Sequence, residues 1–544
     1  MKKTLVLVLL LCLSVAVFAG GKTEVPVSTE PSQATAPKMA EKQVYREALL
    51  KAAQGQSSFI TTTAHRLDST VNEPMVALTW KGDLKPMIAE SFEMLEDGKV
   101  WIMHIRDNAT WHDGTDVTAA DVIFSYSAYA NPRVASRWNG KAQSIKGYAD
   151  VQKGLSDKLS GVTAIDDKTV RIELSQAMPL WMKLEQTFLV IFPDHILGKV
   201  PADQLVAHGY WKNRVGTGPF KWAEYKPDQY IRVVRNDDYY LGAPILEEIQ
   251  YVIFGDVPSQ LNALASGQIH TTVYESNTIT PNEAPVYEAM PNISVVTMSK
   301  GANAFLALNL DRPDWADVRI RQALCYALDI PTILNAIYPG AIPAYTLFPQ
   351  EWTWPATMNK YEYNPEKAKA LLAEAGWSGR TVDLIYYHTD DLTKNLLVAI
   401  QQYFKDVGVN VELRQVDAAY NTAFYPTDQF DASFGGNGMG LDPVTGENLI
   451  MTGELLSMRY ANPTIDELLM KGKALADQED RAPLYQQVSA ILNEEVPKIF
   501  MWYDIRNLGF SDKVVGPKAH WAEQGTIYFN QPIYNEVEKW YVID

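Results

Sequence analysis

The segment Lys168–Ser175 alternates apolar Val170, Ile172 and Leu174 with polar Arg171 and Glu173. A period of two is that of a strand with one buried face. Val100–Arg106 (VWIMHIR) is apolar on both faces and reads as a second strand. Thr118-Ala119-Ala120-Asp121 opens an apolar helix, with Thr118 as N-cap and Asp121 near N3 in a variant capping box. The clearest helix is Tyr363–Trp377. Asn364 caps it, Pro365 sits at N1, Ala368, Leu371, Leu372 and Ala375 form its apolar stripe, and Gly376 stops it. Arg319–Leu328 and Asn462–Asp477 read as further helices, the latter facing the core with Ile465, Leu468, Leu469 and Ala474. Short strands and helices mix from about Glu41 onward, the pattern of an α/β protein.

The first residues follow another rule. Lys2 and Lys3 precede an apolar run from Leu5 to Phe18, and Val17-Phe18-Ala19 offers a small-residue cleavage site before Gly20. Residues 1–19 are expected to be an export signal, with a retained membrane anchor as the alternative. Residues 20–40, rich in Pro, Ser, Thr and Ala, read as a flexible linker. No second apolar stretch is long enough to span a bilayer, and no internal repeat is present. The 544-residue chain is long enough for two to four structural units. Its formal net charge of −17 disfavours nucleic acid and anionic lipid as partners. Once the signal is removed, Cys325 is the only cysteine, so no intramolecular disulfide is expected.

Catalytic signatures are missing. There is no phosphate-binding G-x-x-x-x-G-K-[ST], no H-E-x-x-H, no C-x-x-C and no G-x-S-x-G. Phe434–Gly446 (FGGNGMGLDPVTG) is glycine-rich, but Gly436-x-Gly438 has no third glycine at dinucleotide-binding spacing. His112-Asp113-Gly114 looks like a turn, and the adjacent acids Asp237-Asp238 and Glu494-Glu495 diverge on a regular element. No cofactor, metal or catalytic residue is expected; an exported, acidic, aromatic-rich chain points to binding rather than turnover.

Six segments in order carry a resemblance: Lys85–Tyr126, Val215–Tyr240, Gln260–His270, Val318–Ile330, Tyr361–Trp377 and Arg459–Asp477. Together they resemble the solute-binding proteins of ABC importers, family 5, the group of oligopeptide- and dipeptide-binding proteins. The resemblance implies a periplasmic-binding-protein type II-like α/β fold, with two lobes joined by a hinge and a domain inserted in lobe one (the cluster C arrangement). Carried onto this chain, lobe one is 41–75, 216–299 and 516–544, the insert is 76–215 and lobe two is 300–515. The chain is then expected to cross between lobes near Ser299-Lys300 and near Lys513–Pro517. A monomer that closes on its ligand and docks on a membrane permease, in the periplasm or at the cell surface, is the implied mode of action.

The same resemblance bears on the ligand. Peptide-binding members carry Trp-x-x-Asp before an acidic-Pro pair, and the Asp holds the peptide's ammonium group. Asp442-Pro443 matches the pair, but Met439 stands at the Asp position and Gly436 at the Trp position. A buried ammonium without a counter-charge costs several kcal/mol, roughly. The expectation is therefore a neutral oligosaccharide, β-linked cello- or manno-oligosaccharide, with an oligopeptide or dipeptide as the alternative; a glycoside hydrolase and a chemosensory binding protein are the rival classes. The alternative requires another acid for the amine, such as Glu275 or Asp504. Sugar faces pack on aromatic rings and hydroxyls meet planar polar groups, so the candidate ligand-binding residues are Trp352, Trp354, Asn437, Met439, Trp502, Tyr274, Asn277, Trp211 and Trp138. Trp101, Trp111 and Trp377 are expected to be structural.

Overall fold

The strand predicted from the alternation at Lys168–Ser175 forms at Thr169–Glu173, with Val170, Ile172 and Leu174 fully buried. The structure is a computed structural model, which describes residues 38–50, 57–60, 65–79, 82–272, 279–417, 426–427, 429–524, 534 and 536–544. The export signal and most of the linker lie outside the described residues. Among the described residues no helix is long and apolar enough to cross a membrane.

The other local readings hold at their centres and shift at their ends. Val100–Ile105 is a strand. The helix Ala119–Ala130 follows Thr118, whose N–H donates to Asp121 Oδ2 at 2.8 Å. Asn364 caps the helix Pro365–Glu374 by accepting from the Lys367 N–H at 2.9 Å, and Gly376 takes a left-handed φ of 71° beyond its end. The helix expected over Asn462–Asp477 is capped by Asn462 but ends at Lys473. The one expected over Arg319–Leu328 runs Val318–Tyr326.

Residues Met39–Asp544 form one unit, built on three sheets that matter to the site. The first orders Val44–Leu50, Glu248–Phe254, Tyr230–Arg235 and Phe220–Lys226, its first pair parallel and the rest antiparallel. The second orders Ile342–Pro343, Lys498–Ser511, Ile293–Leu308, Ala432–Gly438, Thr381–Tyr386 and Asn410–Gln415. The third is antiparallel: Ala89–Leu95, Val100–Ile105, Thr169–Glu173 and Val162–Asp166. The third sheet shares its core with Trp101, Trp111, Trp138 and Trp211, and that core reaches back to Phe59, ahead of the expected start of the insert.

Two long antiparallel strands, Ile293–Leu308 and Lys498–Ser511, connect the first two sheets. Ile293–Ser299 pairs with Ser511–Ile505, the register then shifts, and Asn303–Ala307 pairs with Tyr503–Lys498. Thr271 ties the far half of this ribbon to the first sheet, bridging Glu47 on one side and Phe510 on the other. The register shifts at Ser299–Asn303, where Gly301 takes a left-handed φ of 58°. On the second strand the same level falls at Tyr503–Ile505.

Where the insert meets lobe one, Glu73 is fully enclosed. It accepts from Tyr239 at 2.6 Å, Tyr240 at 2.7 Å and Thr217 at 3.2 Å, while its backbone carbonyl accepts from the Ile191 N–H. Burial outweighs these bonds and pushes the Glu73 carboxyl from 4.5 up to about 7. A carboxyl whose folded pKa is raised contributes stability that is fully present below its unfolded value and is lost as pH rises through the folded one. His112 and His270, pushed down to about 4 by burial, act with the opposite sign. The Glu73→Gln variant isolates the carboxyl. Relative to that variant, the native protein is expected to lose about 3 kcal/mol of stability between pH 4.5 and pH 8. Parallel urea unfolding of both proteins across that range checks it; a constant difference would show that Glu73 does not titrate in the window.

Candidate functional site

Gln350–Trp354 turns tightly because Thr353 bonds back onto Gln350, its Oγ1 donating to the Gln350 carbonyl at 2.6 Å and its N–H at 2.9 Å. The turn carries two indoles to one wall of a cavity of about 600 Å³. Trp354 stacks on Tyr503 at 5.8 Å between ring centroids, and both rings anchor to the Phe348 carbonyl, through Nε1 at 2.7 Å and the phenol at 2.8 Å. Trp352 meets Tyr485 edge-on at 5.6 Å, and the Arg481 guanidinium lies 5.6 Å from its ring centre. Tyr503 and Ser299 bring the hinge ribbon into the cavity wall. The opposite wall belongs to the insert, through Leu78, Asp83, Leu180 and Lys183. The two sides touch at Gly82, where a Cβ would stand 2.0 Å from Leu441 Cδ2. Val444 also packs against the insert's core.

Asp442 of the Asp-Pro pair is engaged by Arg481, at 2.6 Å from Nη2 to Oδ1 and through Nη1 to Oδ2. Burial opposes the guanidinium's charge, but hydrogen bonding to Asp442 more than offsets it and pushes the Arg481 pKa up. Behind this pair Tyr485 donates to Glu447 at 2.9 Å, and Lys473 lies 3.1 Å from the same carboxylate. Burial outweighs these partners and raises the Glu447 pKa. The network holds the wall that Trp352 faces.

The nine predicted residues separate clearly. Trp352 and Trp354 line the cavity. Asn437 is half-buried on Ala432–Gly438, opposite Asn303, and does not line the cavity. Tyr274 and Asn277 lie outside the described residues, as does Glu275. Trp502 is buried in lobe two, stacked on Tyr338 at 5.2 Å, with Nε1 3.2 Å from Asp504 Oδ1. Trp138 and Trp211 are core residues of the insert, their indole N–H groups bonded to the Ser58 and Leu205 carbonyls. Met439 corrects the reading most. Its side chain is fully buried beside Phe305, Phe348 and Leu449, so it presents no face to a ligand.

The glycine stretch also resolves into separate jobs. Gly446 makes room for Met439, since a Cβ there would stand 2.7 Å from Sδ. Gly436 lets its strand approach Ile293–Leu308, since a Cβ would stand 2.6 Å from the Asn303 carbonyl oxygen. Gly435 and Gly438 face open space. On the far side Thr381–Tyr386 pairs only with Ala432 and Ser433. Among the described residues, the edge from Phe434 to Gly438 therefore has no strand partner, and three residues later Leu441 lines the cavity. Arg481, Tyr503, Gln350 and Asp83 were not singled out as ligand residues. Gln350 and Tyr503 sit inside segments whose Trp residues drew attention, whereas Asp83 carries no local signal because only the tertiary fold brings the insert over the cleft.

The sequence profile described as bacterial extracellular solute-binding proteins, family 5, matches residues 83–452. The chain belongs to this family. Its relatives include the oligopeptide-binding protein AppA of Bacillus subtilis, 26% identical, covering 85% of this chain and 84% of that one. Heme-binding protein A of Haemophilus influenzae is 27% identical, covering 80% and 81%. Among solved structures, the ABC transporter substrate-binding protein CtaP of Listeria monocytogenes superposes with a TM-score of 0.78 at 23% identity, over 93% of this chain and all of that one. AppA of B. subtilis in complex with a nonapeptide superposes with a TM-score of 0.71 at 23% identity, over 94% and 100%. These superpositions establish the two-lobed fold. Family 5 proteins are extracellular binding components by description, which agrees with the binding role and the export expected from the sequence.

In this family 5 chain the Arg481–Asp442 pair is the cavity wall's main electrostatic joint. Removing one partner of a buried pair leaves the other uncompensated. Arg481→Ala is expected to cost about 3 kcal/mol in urea unfolding at unchanged m-value, and Arg481→Lys to recover only part, because an ammonium cannot make the forked contact.

Proposed function

We propose that this protein is the peptide-binding component of an ABC importer, capturing an extended peptide between its lobes and presenting it to a membrane permease. The supporting observation is the open strand edge Phe434–Gly438, which ends beside the cavity. An unpaired strand edge offers main-chain donors and acceptors at peptide spacing, and an added strand satisfies them without regard to side-chain identity. Gly435 and Gly438 leave the room that an added chain needs. AppA and the dipeptide-binding protein of Escherichia coli, relatives at 26% and 27% identity, carry peptide-binding names.

The expectation of a neutral oligosaccharide rests on Met439 and Gly436 standing where peptide-binding members carry Asp and Trp, at a position taken to face the ligand. With Met439 in the core, that argument no longer applies. The half-buried Trp352 and Trp354 still offer ring faces, so sugars remain the comparison arm of the test rather than the main reading.

Capture works by population shift. A ligand touching both cavity walls binds the closed arrangement more tightly than the open one, and that difference sets how far the equilibrium moves. The hinge ribbon permits the movement because its ladder is interrupted at Ser299–Asn303. The closed form then offers the permease a surface spanning both lobes.

A thermal-shift comparison of tetrapeptides with cello-oligosaccharides tests the ligand class. A peptide at 100 times its Kd is expected to add about 2.7 kcal/mol to unfolding, with no shift from the sugars. A shift with sugars alone would reject the peptide reading. Gly438→Leu fills open space at the strand edge, so its melting temperature should stay near that of the native protein while peptide affinity falls about tenfold or more.

A further inference from the structure

The cavity carries more negative than positive charge. Asp83, Glu351, Asp442 and Asp477 line it, against Lys183 and Arg481. Arg481 is committed to Asp442. Asp83, Glu351 and Asp477 make no ion pair among the described residues, and all three are exposed as well as lining the cavity. One further acceptor lies deeper. Gln350 is only 5% exposed and lines the cavity; its Nε2 donates to the Gly440 and Leu441 carbonyls at 3.1 and 3.3 Å, and its Oε1 accepts nothing. A buried acceptor left unpaired costs about 1–3 kcal/mol, so a donor from outside gains by reaching it. Beside it Trp354, half-buried and stacked on the buried Tyr503, offers an indole ring, which favours a cation over an anion.

Resting on the peptide reading above, we infer that the ligand is a basic peptide, its ammonium or guanidinium groups held by Asp83, Glu351, Asp477 and the side-chain oxygen Oε1 of Gln350. The position where peptide-binding relatives place an acid is core here, and the counter-charge has moved to the opposing walls of the cavity. Asp83 comes from the insert, whereas Glu351 and Asp477 come from lobe two. Closing the empty cleft brings like charges together, which disfavours the closed form. A cationic ligand reverses the sign of that interaction, so closure becomes dependent on a ligand of the right charge. A cleft of one sign between low-dielectric walls also concentrates the field and raises the association rate of an oppositely charged ligand.

The test measures equilibrium and association kinetics for three peptides of one length: Ala-Lys-Ala-Lys, Ala-Ala-Ala-Ala and Ala-Glu-Ala-Glu. The basic peptide is expected to bind about tenfold more tightly than the neutral one at low salt, with the acidic one weakest and the spread narrowing as salt is raised. A triple variant, Asp83→Asn, Glu351→Gln and Asp477→Asn, should lose most of that preference. A control variant neutralising the exposed Asp203, Glu374 and Glu412, none of which lines the cavity, should keep it, which separates the cavity's field from the protein's overall acidity. Equal affinity for the three peptides, or a preference unchanged in the cavity variant, overturns the charge inference and leaves the peptide reading standing. No binding of any of the three overturns both.

Discussion

The antiparallel ribbon of Ile293–Leu308 and Lys498–Ser511 is the constraint on which the rest depends. It is at once the spine of lobe two's sheet and, through Thr271, an extension of lobe one's. A ladder of backbone hydrogen bonds resists stretching and shear but yields to bending where pairs are missing. The pairs are missing at Ser299–Asn303, beside Tyr503, and this places the point of give in the cavity wall itself. The insert and the Gln350–Trp354 turn are then carried on opposite sides of one bend.

Much of the fold was legible because local rules and tertiary packing agree. The alternation at Val170, Ile172 and Leu174, the Asn364 cap and the Gly376 stop each express an energy available within a few residues. The site was less legible because its parts are brought together only by the fold. Asp83 is an ordinary loop acid until the insert sits over lobe two. Trp502 and Trp211 look the same in sequence as Trp354, and only the neighbours decide which ring is filled around and which is left with a face. The shift within the ribbon is illegible for a related reason: a turn is visible in sequence, whereas a register shift within a continuous strand is not.

Met439 shows that the spacing of a motif is silent about contact. The chain there leaves the strand after Gly438, and the side chain turns into the core between Phe348 and Gly446. Losing an acid at such a position removes one way of holding an amine without selecting a neutral ligand. The charges that matter are instead distributed over two walls, and neither wall alone forms a site.

Gly82 has a backbone conformation, φ 84°, that L side chains rarely adopt, and the space its missing side chain leaves is occupied by Leu441. The jaws therefore meet on bare backbone. At this point the spacing of the two sides is the thickness of one leucine. A bulkier or smaller residue at 441 would change the spacing of the two walls and the lining of the cavity together, so fit and closure are coupled through one side chain.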